Sequence, residues 1–157
     1  MGSTFDYTPE ERQRDVVAGL YNKFHIDDVI SDLTVSIGDE TDEVITVTCA
    51  LVDPDGDNVA RRTVIKMVLF ADDAYDDVLD AALADITYAA TTGTLLPADL
   101  MDPGTALTGR VLYFVTDENG DLVFTITDAG GAALTAAMGF FLPNGQFVPG
   151  GEFAFAA

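Results

Sequence analysis

EVITVTCALV, residues 43–52, places Ile45, Val47, Cys49 and Leu51 on one face of an extended chain and Thr46 and Thr48 on the other. That period of two is the signature of a half-buried β-strand, and the β-branched content agrees with it. DPDGDN (53–58) follows as a turn and leads into ARRTVIKMVLFA (60–71). There Thr63, Ile65, Met67 and Leu69 oppose Val64, Lys66, Val68 and Phe70, so both faces are fairly apolar and a central strand is expected. Upstream, DLTVSI (32–37) reads as another strand.

Two more strand pairs follow downstream. RVLYFVT (110–116) and LVFTIT (122–127) flank DENGD, whose Asn119 and Gly120 supply the positive φ of a tight turn, and a hairpin is predicted. ALTAAMGFFL (133–142) and FVPGGEFAFAA (147–157) flank PNGQ in the same way, with Asn144 and Gly145 in the turn. Pro149, Gly150 and Gly151 interrupt the last strand, as expected at a sheet edge or bulge. Connections this short favour an antiparallel sandwich over a parallel sheet.

Two stretches read as helix. Thr8 is placed as an N-cap, Pro9 at the first helical position and Glu11 to close a capping box, so TPEERQRDVVAGLYNKF (8–24) is predicted helical. Val16, Leu20 and Phe24 recur at spacing four with Val17 and Tyr21 beside them, one apolar stripe on an otherwise charged segment. The stripe packs either on its own domain or on a partner. In DDAYDDVLDAALADI (72–86), Val78, Leu79, Ala82, Leu83 and Ile86 fall at helical spacing, which predicts a short helical insert. TTGTLLPADLMDPGTALTG (91–109) reads as a long loop. The expected organisation is a helical arm over residues 1–31 and a sandwich over 32–157 with an insert at about 72–108.

The chain has 157 residues, 27 Asp plus Glu against 7 Lys plus Arg, and a net charge of −20. Its 48% apolar residues set it apart from an acidic disordered tail. Seven cations cannot neutralise many phosphates, so neither nucleic acid nor an anionic membrane is expected as a partner. No apolar run is long enough to span a bilayer, MGSTFDYTPEERQRD lacks a signal peptide's apolar run, and synthesis in the cytosol is expected.

Chemistry-bearing patterns are sparse. Cys49, the lone cysteine, lies on an apolar face and reads as a buried, inert thiol. His25 is the single imidazole and Ser3, Ser31 and Ser36 are the only serines, a poor basis for a nucleophile and base pair. No enzyme and no required cofactor are expected. Asp53, Asp55 and Asp57 resemble the opening ligands of a calcium loop, and Asp117, Glu118 and Asp121 could add oxygens. An EF-hand is excluded, because Asn58 stands where that loop needs glycine and Val64 where it needs a bidentate Glu. Calcium therefore stays open as a weak alternative to a solvated turn. Asp72, Asp73, Asp76, Asp77 and Asp80 form the densest acidic run and read as a solvated face.

EVITVTCALVDPDGDNVA, VLYFVTDENGDLVFTITDAG and FFLPNGQFVPGGEFAFA together resemble the immunoglobulin-like (Ig-like) domains of tailed-phage structural proteins, capsid decoration and head-fibre proteins above all. The resemblance implies an Ig-like antiparallel β-sandwich, here with an N-terminal α-helical arm and a short helical insert that lie outside it. It implies a virion structural protein on the capsid exterior that binds the major capsid protein and stabilises the head. Homo-oligomers, commonly trimers, go with that class. The partner-binding residues expected on the arm are Val16, Leu20, Tyr21 and Phe24. The alternative from another class is a surface-exposed module that recognises carbohydrate or protein through the loops at 53–58, 91–109 and 117–121, with calcium as a possible aid.

Overall fold

The structure, a computed structural model, describes residues 29–80, 83, 85–97 and 110–157. Among them are nine strands: β1 (Asp32–Ile37), β2 (Val44–Val52), β3 (Val64–Phe70), β4 (Ile86–Thr92), β5 (Thr94–Leu95), β6 (Val111–Val115), β7 (Asp121–Asp128), β8 (Leu134–Phe141) and β9 (Phe147–Phe155). They form two antiparallel sheets, β1-β2-β7-β4 and β5-β6-β3-β8-β9. The protein is mainly β, a two-sheet sandwich, and the described residues contain no helix.

The alternation read from residues 43–52 places Ile45, Val47, Cys49 and Leu51 in the core, each at most 1% exposed, with Thr46 and Thr48 outside. β3 is the middle strand of its sheet, as its two apolar faces predict. Its Ile65, Met67 and Leu69 face the same core from the other layer. β8 and β9 form the predicted hairpin. β9 lies at the sheet edge, and the register shifts at Met138/Gly139 opposite Pro149 and Gly151. A proline without an N–H and a bulge are both accommodated at an edge.

The stretch 110–127 corrects the hairpin reading. Its turn is present, with Gly120 at φ 79° and Gly120 N–H donating to the Asp117 carbonyl. The strands it joins then separate: β6 pairs with β3 and β5, whereas β7 pairs with β2 and β4. Phe114 and Phe124 therefore meet across the layers, stacked at 4.5 Å and 26°, both wholly buried. Two strands that each carry an alternating aromatic face bury more apolar surface face to face than side by side. Glycine is required at 120, because a Cβ there would run into the Val59 carbonyl.

The predicted helix at 72–86 is also overturned. The chain turns at 71–74 and then runs back along the end of β3, with Ala71 N–H bonded to the Asp77 carbonyl, Leu79 N–H to the Leu69 carbonyl, and a bridge between Phe70 and Val78. Tyr75 has φ 56°, outside the helical region. A helix would have stacked Asp72 on Asp76, Asp73 on Asp77 and Asp76 on Asp80, all like-charge pairs at spacing four. On this path all five carboxylates are exposed while Leu79 still reaches the core, and Leu83 packs against it. Ile86, the last of the supposed helical stripe, opens β4.

The loop expected at 91–109 begins as strand. Thr91 and Thr92 complete β4, and Gly93 at φ 79° passes the chain from one sheet to the other, where Thr94 and Leu95 pair with β6. Residues 98–109 and the predicted arm helix at 8–24 lie outside the described residues.

Candidate functional site

Antiparallel sheets usually leave one polar face to solvent. The five-stranded sheet does not. On its outer face Val68, Phe70 and Ala137 form a second apolar cluster, flanked by Tyr75, Val111, Phe141 and Phe147. The rings meet edge-on or tilted: Phe70 and Tyr75 at 5.5 Å, Tyr75 and Phe147 at 5.3 Å, Phe141 and Phe147 at 5.2 Å. Gly139 makes this possible, because a Cβ there would strike the Phe147 ring lying across β8. Tyr75 holds its left-handed backbone while its hydroxyl oxygen accepts the Gly151 N–H at 3.0 Å. That bond anchors the 71–79 turn to β9 and covers one half of the aromatic face.

The other half is open. Lys66, Tyr113 and Phe141 stand in one row across β3, β6 and β8. With Val64, Leu142 and Pro143 they line a groove of about 230 Å³. The Lys66 ammonium sits 5.2 Å from the Phe141 ring centre, a cation–π contact that leaves the apolar floor intact. Val64 is 42% exposed, uncommon for a valine in a strand.

Loops gather at the same end of the sandwich, and three of them share one design. Asp53 N–H bonds the Asp57 carbonyl, Asp117 N–H the Asp121 carbonyl and Leu142 N–H the Gln146 carbonyl, at 2.9–3.0 Å. Gly56, Gly120 and Gly145 each stand at the positive-φ position. In the first two turns the leading carboxylate caps the loop. Asp53 Oδ1 accepts from the Asp55 and Asp57 N–H groups, and Asp117 Oδ1 from those of Asn119 and Asp121, all at 2.9 Å. Asn58 ties the two turns together by donating to the Asn119 carbonyl.

This explains the spacing that resembled a calcium loop. Asp53 is 2% exposed and points inward, its Oδ2 without a hydrogen-bond partner, while Asp55 and Asp57 are exposed. The alternating Asp residues follow from the turn: one caps, and the others lie outside it. Among the described residues no three His, Cys, Asp or Glu side chains converge on a point suited to a metal ion. Asp53→Ala should cost about 1–2 kcal/mol in urea unfolding, since two N–H groups of the turn lose the carboxylate that caps them. Asp53→Asn, which keeps an oxygen there, should cost less.

Cys49 is 1% exposed, and burial pushes its thiol up to about 12. The expectation of a buried thiol holds. Tyr88 is raised in the same sense by burial, opposed in part by Arg110. Val16, Leu20, Tyr21, Phe24 and His25 lie outside the described residues. At the opposite end of the sandwich, Asp39, Glu40 and Glu152 line a polar cleft of about 230 Å³ between the β1–β2 turn and β9.

No protein-family model and no curated protein matches the sequence. The sandwich is distantly like a solved conjugative transposon lipoprotein from Bacteroides eggerthii DSM 20697. The two share 12% identity at a TM-score of 0.39, over 80% of this chain and 96% of that one.

The outer aromatic face is the feature that sequence reasoning passed over. Its signal was present in the even-numbered residues of β3 and in the Gly139 and Phe147 pair, but the apolar second face of 60–71 was read only as a mark of a central strand.

Proposed function

We propose that this chain is a structural protein of a virus particle, a capsid decoration or cement protein whose body is an Ig-like sandwich. The observation that carries the reading is the strand order. An Ig sandwich of the constant type sets strands A-B-E-D against C-F-G. Here β1-β2-β7-β4 faces β3-β8-β9, which matches that order, and β5 and β6 are added beside the strand equivalent to C. The three sequence strings that resemble the phage domains cover β2 with its loop, β6 to β7, and the end of β8 with its turn and β9. They thus supply the two central strands of the four-stranded sheet.

On this reading the acidic body faces solvent and the apolar stripe at Val16, Leu20, Tyr21 and Phe24 meets the major capsid protein or a sister subunit. The test is made on particles from a virus carrying the gene and from the same virus with the gene deleted. Intact particles should contain the chain at many copies, and those lacking it should assemble but burst at lower temperature. Adding back the purified chain should restore the lost stability, and a Leu20→Asp, Phe24→Asp double variant should not. Absence of the chain from purified particles would overturn the reading.

A further inference from the structure

We propose that the outer face of the five-stranded sheet packs on the same face of a second copy about a two-fold axis, with Arg62, Val64 and Lys66 of each chain set against Asp76, Val78 and Asp80 of the other.

Two short segments on that face carry opposite charge in the same pattern. Thr63 is buried and bonds Thr116 in continuation of the β3–β6 ladder, so the alternation of β3 extends back through it. Arg62, which is exposed, therefore stands on the face of Val64 and Lys66. At the other end of β3, Val78 bridges Phe70 while Leu79 is buried, which places Val78 on the outer face. Asp76 and Asp80, both exposed, stand two residues to either side of it. Val64 and Val78 are 42% and 41% exposed, two of the three exposed large hydrophobics among the described residues. Residues 32–157 hold 21 acids and only four bases, Arg61, Arg62, Lys66 and Arg110. Three of the four bases thus gather at one end of a face whose other end carries the densest acidic run.

The register fits a two-fold axis. Ala71 N–H bonds the Asp77 carbonyl and Leu79 N–H the Leu69 carbonyl, so this segment runs antiparallel to β3 with Val78 level with residue 70 and Asp80 level with residue 68. Val64 and Val78 are then about 20 Å apart along the strand, too far to meet within one chain. A half-turn about an axis lying across the strands at the level of Met67 exchanges level 64 with 70 and level 66 with 68. It brings Val78 of one copy over Val64 of the other, Asp80 over Lys66 and Asp76 over Arg62, and each contact occurs twice. The relief of the face agrees. Tyr75 and its turn stand on one half, and the groove between Val64, Tyr113 and Pro143 is the recess on the other. The same half-turn seats each in its counterpart.

Two chains of −20 repel one another at a distance. At about 0.15 M salt the screening length is about 8 Å, which mutes carboxylates outside the contact more than the charges that meet across it. The inference goes beyond the virion reading and does not rest on it. It is tested on purified protein alone, so its failure and the failure of that reading stay distinguishable.

In sedimentation at about 0.15 M salt, the full-length chain should run as a dimer that dissociates on dilution and never exceeds two copies. Arg62→Glu with Lys66→Glu should give a monomer, and so should Asp76→Lys with Asp80→Lys. Mixed in equal amounts, the two monomeric variants should form a dimer, because opposite charges then face one another in both contacts. A variant that had merely unfolded could not be rescued in this way. Independently, Val64→Cys mixed with Val78→Cys should cross-link on oxidation into a heterodimer, and each variant alone should cross-link several-fold less. Cys49 is too buried to interfere. A chain that stays monomeric to millimolar concentration, charge reversals that leave the dimer intact, or a mixture that stays monomeric would overturn the proposal. So would species that grow past two copies with concentration, which would assign the two segments to a head-to-tail contact.

Discussion

Phe124→Ala should destabilise the protein by about 3–5 kcal/mol, read as a lower urea midpoint with little change in slope. Phe124 is wholly buried and stacks on Phe114 of the opposing sheet, so truncation opens a cavity at the seam between the layers. The surrounding strands are held by hydrogen bonds on both sides of β7 and can collapse only partly into that space. Thr87→Ala, on the exposed face of β4, should change stability by no more than about 0.5 kcal/mol. In a simple hairpin within one sheet the register of the 117–121 turn would set Phe114 beside Phe124 on one face; here the two rings stack across the layers instead.

Alkaline pH should bring the second large loss. The Cys49 thiol has an ordinary value of 9.0 and is pushed up to about 12 by burial. Below pH 9 both folded and unfolded chains hold the proton, and its contribution to stability is fully present. Between pH 9 and about 12 the unfolded chain releases the proton while the folded chain keeps it, so stability falls as pH rises. The gap between the two values amounts to about 4 kcal/mol at the top of that window. Tyr88, raised in the same sense by burial, adds to the loss above pH 10. Melting temperatures from pH 8 to 11.5 should therefore descend steeply, and Cys49→Ala should flatten the curve from pH 9 upward. A thiol reagent at neutral pH should leave the native protein unlabelled and label it once unfolded.

The strands were legible wherever one face alone is buried. Residues 43–52 announce themselves by alternation, and the β8–β9 pair by its Asn-Gly turn. What could not be read was the partner of each strand. The turn at 117–121 is chemically a tight turn, but whether its flanking strands stay together depends on β2 and β3, which lie more than 40 residues away in the chain and outcompete the local pairing. The stretch 72–86 failed for a different reason. Val78, Leu79, Leu83 and Ile86 satisfy a helical period, but Leu79 reaches the core from an extended path, and Tyr75 and the crowded carboxylates oppose the helix. The candidate site was legible in part. The acidic turns were located correctly, but their carboxylate spacing reflects capping geometry, and the outer apolar face needed the second sheet to be assembled before it could be seen.

β1 and β9 lie side by side at the edges of the two sheets and run in the same direction. The sandwich is thus entered at Asp32 at one end and left at Phe155 at the other. Tension applied between those points acts along the strands and loads the ladders β1–β2 and β8–β9 in shear, all bonds together rather than one after another. Such a body resists stretching in the direction of its own chain, and would transmit a pull from whatever precedes residue 32 to whatever follows residue 155 without opening between its sheets.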